Sequence, residues 1–255
     1  MNPRIGKSIP NNVAIRIRYE NALAQLVLQM RRDTDAEMRR VFRNNHTITI
    51  DAKGDKNVST RAKLAIAALL LKFRLLFSDV GRKAAVNMVA SSNLYTTTAV
   101  RSNLESITGK KIPEVTRLAR AGKLTRQSSI AENESLLNSI PEQYFTGITA
   151  EAMGAIATGL TAEVEQAIEK KGDVAQRRAK NIAIDQTNKV TQALVMQKMI
   201  HQGVKKFQWV YTYRSKEPRR YHIKRGGVIY DIDRPPGGEY PGIPINCKCV
   251  MRPVL

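Results

Sequence analysis

Only two cysteines occur in the 255 residues, Cys247 and Cys249, and a single residue separates them. So sparse a supply excludes a disulfide-built scaffold. Aromatic residues make up 5% of the chain, with Trp209 the one tryptophan. That scarcity disfavours an aromatic-rich β-sandwich and points to helices packed through Ala, Leu, Ile, Val and Met. Long apolar runs are missing too. The longest, 64–71, stops at Lys72 and Arg74, far short of the roughly 20 residues that a membrane-crossing helix needs. Residues 1–10 contain no apolar stretch of the kind that forms a secretory signal. A soluble protein made in the cytoplasm is therefore expected. Acidic residues are the last deficit: 22 Asp and Glu stand against 42 Lys and Arg, a formal charge of +20.

What is present suits a globular chain, with 42% hydrophobic and 25% charged residues. The positive excess repels itself unless a polyanion or an acidic partner neutralises it. Nucleic acid is the first candidate, because counterion release drives binding to phosphate. An acidic protein ring and a membrane surface are the others. The basic pairs are spread along the chain, at Arg31-Arg32, Arg39-Arg40, Lys110-Lys111, Arg177-Arg178, Lys205-Lys206 and Arg219-Arg220. Spread charge suits a diffuse contact. The sequence has no helix-turn-helix, aromatic RNA-binding or zinc-finger signature, so any DNA contact is expected to be independent of base sequence. Arg39, Arg40, Arg219 and Arg220 are candidates for it; the alternative is that they form a solvated face or pair with nearby acids.

The periodicity predicts a mostly α protein with a small C-terminal α+β unit: long N-terminal and central helices, and short strands after about residue 204. Residues 1–11, with Pro3, Gly6 and Pro10, read as a flexible basic arm. An N-terminal helical region follows over 12–107. In it, Ile15, Tyr19, Leu23, Leu26 and Met30 recur at helical spacing up to about residue 44. Breakers over 46–59 suggest a loop, with a possible short strand at 47–50. The run 60–90 reads as a central core helix, apolar on most faces, or as two helices parted near 78–81. A third helix is expected over 93–107. Residues 108–126, with Pro113 and Gly122, read as a linker or exposed loop. A central helical region over 127–203 is expected to hold helices near 127–140 and 148–170, the second carrying Gly154 and Gly159. Gly172 is expected to end that element and Asp173 to cap the next, which runs to Gly203. In this last helix Ala179, Ile182, Gln186, Val190, Ala193, Gln197 and Ile200 share one face. The remaining unit, 204–255, has strand-like segments at 207–213 and 227–233 and an irregular Pro/Gly loop. No internal repeat is visible.

The end of the chain is an ordered series. A helix carries RRAKNIAIDQTNKVTQAL (177–194), then come GVKKFQW (203–209), EPRRYH (217–222), GGVIYDID (226–233), YPGIPINCKC (240–249) and RP (252–253). Trp209, Arg219, His222, Gly227, Pro241, Gly242, Asn246, Cys247 and Cys249 are its fixed points. The series resembles the C-terminal domain of phage head-morphogenesis proteins, the Mu protein F-like minor head proteins. The resemblance covers about the last 80 residues, and more loosely the helices from 148 on. It departs from the family pattern at two places: Ser215 stands where many relatives have an acid, and Ile184 where many have an arginine. The resemblance implies a minor head protein acting in head morphogenesis and located in the virion head. Its implied partners are the portal or capsid protein and packaged double-stranded DNA, bound non-specifically. No membrane, small-molecule substrate or catalytic residue is implied. No toxin domain is expected, since the sequence stops two residues after Pro253.

Several readings of the chemistry stand side by side. His222, Cys247 and Cys249 form a three-ligand zinc option, to be completed by a water or a carboxylate such as Asp231 or Asp233. The plainer alternative is that the cysteines end a strand, one of them buried as a small apolar group, with His222 anchoring a loop. A disulfide between them is expected to be strained. A Cys-His nucleophilic pair is formally available but lacks an orienting third group in the sequence. Trp209 is either a binding anchor or core. Two competing functions follow: a sequence-independent DNA-binding protein without a portal role, and an enzyme or effector built on the C-terminal unit.

Overall fold

Asn12 starts the first helix. Its side-chain oxygen accepts hydrogen bonds from the backbone N–H groups of Ala14 (2.9 Å) and Ile15 (3.3 Å), as an N-cap does. In a computed structural model of the protein, residues 3–43, 56–112, 120, 122–158, 162–213 and 217–255 are described. The helices are α1 (Val13–Arg43), α2 (Lys56–Leu76), α3 (Arg82–Thr108), α4 (Lys123–Thr158), α5 (Ala162–His201) and the short α6 (Arg220–Arg225). Three strands accompany them: β1 (Lys206–Val210), β2 (Ile229–Asp231) and β3 (Val250–Val254). The protein is thus mostly α with a small C-terminal α+β unit. The possible strand at 47–50, Pro113, Gly159 and Ser215 lie outside the described residues. No helix among the described residues is long and apolar enough to cross a membrane.

The chain divides into two compact units, one of residues 1–19, 86–131 and 183–255, the other of residues 20–85 and 132–182. The described residues of the second are all helical. Its α2 stretch buries Val58, Ala62, Ile66, Leu69 and Phe73 at spacings of four and three, while Leu64, Leu71 and Leu75 are exposed. The expectation of a central helix apolar on most faces is therefore corrected: α2 packs through one stripe. The suspected break near 78–81 is a π-helical turn, Phe77–Gly81, which widens the helix without ending it.

Two expected breaks are absent. Helix α4 continues through Pro141, although proline removes one backbone hydrogen bond. Burial of Leu137, Ile140, Tyr144 and Phe145 around it holds the helix together. Helix α5 likewise runs through Gly172 and Asp173. Here the glycine serves packing. A Cβ at position 172 would lie 2.9 Å from Cδ of Arg31, whose guanidinium pairs with Glu169 and Asp173 on either side of it. Similar ion pairs lace this unit elsewhere, including Lys72 with Asp33, Arg74 with Glu142 and Arg82 with Glu134.

In the first unit the sheet order is β2-β1-β3, antiparallel throughout. Phe207 of β1 faces Tyr230 and Pro253, and Trp209 faces Met251. The flexible arm expected over 1–11 is instead laid along β3 from Pro3 onward. Arg4 and Leu255 exchange backbone hydrogen bonds of 3.0 Å, and the N–H of Gly6 donates to the carbonyl of Pro253. Asn103 binds both the N–H and the carbonyl of Lys7, and Ile9 is buried with Trp209, Phe207, Met199 and both cysteines. The arm docks because its backbone polar groups find partners and its isoleucine finds a core. The helix enclosed on most sides is the second half of α5, where Leu194, Val195, Lys198 and Met199 are all fully buried. Ile200, expected on its buried face, is 45% exposed.

Candidate functional site

Three elements of the first unit bring the C-terminal fixed points together. Strand β1 supplies Trp209, fully buried. Its N–H donates to Val228 O and its carbonyl accepts from the N–H of Gly227, which fixes the turn after α6. Helix α6 supplies His222, whose ring stands edge-on to Trp209 at 5.1 Å and to Tyr221 at 4.6 Å. The segment before β3 supplies Cys247 and Cys249, both buried and unbridged. His222 Nδ1 lies 3.5 Å from Cys247 Sγ and 3.8 Å from Cys249 Sγ. Asp231 and Asp233, weighed as further ligands, do not join this cluster; Asp231 pairs with Arg234 and Lys206.

The cysteine segment is held from α5 by a row of polar side chains. Asp185 Oδ1 accepts the N–H of Asn246 (2.5 Å), Asn188 donates to the carbonyl of Cys247 (2.6 Å), and Gln192 accepts the N–H of Met251 (3.1 Å). Gln192 also donates to the carbonyl of Ile9 (2.7 Å). These residues sit at helical spacing on the buried face. Sequence reasoning placed Gln186 on that face and passed over Asp185, Asn188 and Gln192. Polar residues repeating at three and four along an otherwise apolar face were the available signal. Gly242 completes the packing at φ +76°. A Cβ there would fall on the Gln192 side chain and 3.0 Å from Nδ2 of Asn188. Pro241 is buried beside it, and Asn246 has φ 58°. Arg219 binds the carbonyl of Ile245 (2.9 Å), so it clamps the same segment.

Behind the histidine stands a pair absent from the sequence reading. Glu239 Oε2 is 3.6 Å from His222 Nε2 and accepts a 2.7 Å hydrogen bond from Arg225 Nη1. Arg225 also covers the rings of Trp209 and Tyr221. Partial burial raises the Glu239 pKa, but the Arg225 hydrogen bond and charge, then those of His222, outweigh it and hold the carboxyl below its usual range. Of the two thiols, Cys247 ionises the more easily: the Cys249 hydrogen bond lowers it against the effect of burial. Cys249 is pushed upward by Cys247 and by burial. Thiol, imidazole and carboxylate thus stand in the order a nucleophilic triad would need. The space beside the sulfurs, however, holds little more than a water molecule.

The polyanion candidates separate. Arg39 is paired with Asp35 and Glu165, and Arg40 with Glu37. Arg219 holds the loop, whereas Arg220 is exposed, as are Arg39 and Arg40 despite their ion pairs.

Residues 146–252 match the family model described as Phage Mu protein F like protein. The resemblance read from the C-terminal series is therefore established over those residues, which include the α5 polar row and the His-Cys cluster. A Haemophilus influenzae protein described as uncharacterized is 28% identical over 249 residues. That alignment covers 93% of this chain but only 52% of the relative, so the chain spans about half the length of that protein. No solved structure matches.

Proposed function

We propose that this chain is a structural minor head protein of a phage or prophage, acting in head morphogenesis at the portal vertex or on the inner capsid face, close to packaged DNA. The match of residues 146–252 to the Mu protein F-like family carries this reading. The +20 charge supports it, since a minor head protein next to DNA or an acidic portal ring gains from such an excess. No reaction is assigned to the chain. The test is to tag it in a particle-producing strain and quantify it by mass spectrometry in purified proheads and in free cytosol. The reading expects enrichment in proheads, and loss of that enrichment when 204–255 is replaced by an unrelated small domain. A chain found only in cytosol overturns it.

The charge also favours a second reading, a sequence-independent DNA-binding protein without a portal role. Binding to duplex DNA should then fall steeply and linearly on a log-log plot against salt. Absence of binding at about 0.1 M salt, where phosphate contacts still contribute strongly, removes this alternative.

A further inference from the structure

We propose that His222 Nδ1, Cys247 Sγ and Cys249 Sγ bind one zinc ion, which locks the segment before β3 to α6. This inference concerns the first unit alone and stands whether or not the chain is a head protein.

The distances come first. Zinc bound tetrahedrally at about 2.3 Å from sulfur and about 2.0 Å from nitrogen separates those two ligand atoms by about 3.5 Å. The nitrogen here is 3.5 and 3.8 Å from the two sulfurs, and all three ligand atoms lie within 4.8 Å of one another. A hydrogen bond explains only half of this. A neutral imidazole nitrogen has one lone pair or one proton, and can serve one sulfur well. Two sulfurs converging on one ring nitrogen is the arrangement of a shared cation.

The surroundings agree. A metal-bound histidine normally directs its other ring N–H at a carboxylate. His222 Nε2 has no hydrogen-bond partner within normal length among the described residues, and the nearest carboxylate, Glu239, waits at 3.6 Å, held by Arg225. The N–H of Gly242 donates to Cys247 Sγ at 3.3 Å, a contact that favours thiolate over thiol. Sulfur and imidazole donors select zinc over magnesium or calcium. Among the described residues no carboxylate joins the three ligand atoms within 4.8 Å, and the small pocket beside them has about the room of one water, so a water completes the tetrahedron. Loading forms two Zn–S bonds, and each sulfur still protonated beforehand gives up its S–H proton to solvent.

The test uses the full-length chain, stripped with a chelator under reducing conditions and titrated with zinc chloride against a chromophoric competitor, then separately with cobalt(II). The proposal expects about one equivalent bound, tetrahedral cobalt bands in the visible, and a sulfur-to-cobalt charge-transfer band in the near ultraviolet. Cys247→Ser should weaken zinc binding at least tenfold and diminish the charge-transfer band. Glu239→Gln, which keeps every ligand, should weaken it by roughly 10- to 100-fold as loss of a supporting carboxylate does. A folded wild-type chain that takes up no zinc and gives only the spectrum of free cobalt overturns the proposal, with no variant needed. So does zinc binding of equal affinity in wild type and in a folded Cys247→Ser variant.

Discussion

Gly242 and Lys198 show how single positions in the first unit depend on what surrounds them. Gly242 has a left-handed backbone and no space for a Cβ against Gln192. Gly242→Ala should cost roughly 1–3 kcal/mol in chemical denaturation; wild-type stability in that variant would sink the close-packing argument. Lys198 is fully buried, and its ammonium donates to Asn93 Oδ1 at 2.6 Å. Burial, then the charge of Arg126, lowers its pKa to about 8. Between about pH 8 and the unfolded lysine value near 10.4, the unfolded chain holds a proton that the folded one has released. Stability therefore rises with pH through this window, by up to about 3 kcal/mol, and the desolvation cost is fully felt below it. Lys198→Met should lack this rise, so the stability of wild type relative to the variant should climb by the same amount across the window. An equal slope in both proteins would mean that Lys198 stays charged. Gly242 stood out in the sequence as a fixed point of the C-terminal series, though not the Gln192 side chain that crowds it; Lys198 did not, since it sits in the last turn of a helix, where a lysine is ordinarily solvated.

At the scale of elements, hydropathy located the helices but not which side of each is covered. Helix α2 is the clearest case. Phe73 is fully buried while Leu71, two residues before it, is 59% exposed. Phe73→Ala should cost about 3–5 kcal/mol, whereas Leu71→Ala should stay within about 0.5 kcal/mol; thermal melts of the two variants compare them directly. Comparable losses would mean that the exposed leucine stripe is covered. The helix breaks expected at 141–147 and at 172 were misjudged for a common reason. Proline and glycine act as stops when local propensity decides. Here the buried residues that flank them extend the helix through each position, and Gly172 is retained for the space it leaves to Arg31. Strand β1, by contrast, was legible from FQWVY alone, since alternating aromatic and β-branched residues have few other uses.

For the whole molecule, the long-range pairings decide the outcome. The first nine residues look like a basic tail, yet Ile5 pairs with Val254 and Ile9 enters the core around Trp209. Deleting residues 1–9 should lower the melting temperature markedly, because burial of a single isoleucine contributes about 1.5–3 kcal/mol. A truncated chain with unchanged melting would restore the flexible arm. The sequence by itself determined the fold class, since sparse aromatics and long 3.6-residue periodicity admit few architectures. It also determined the family resemblance of the C-terminal half, because an ordered series of Trp, His, Gly, Pro and Cys survives as a linear pattern. Only the tertiary structure decided that His222 meets both cysteines, that Glu239 and Arg225 stand behind it, and that Asp185, Asn188 and Gln192 hold the segment in place. Those contacts join residues far apart in the chain, and they follow from packing geometry that no local propensity encodes.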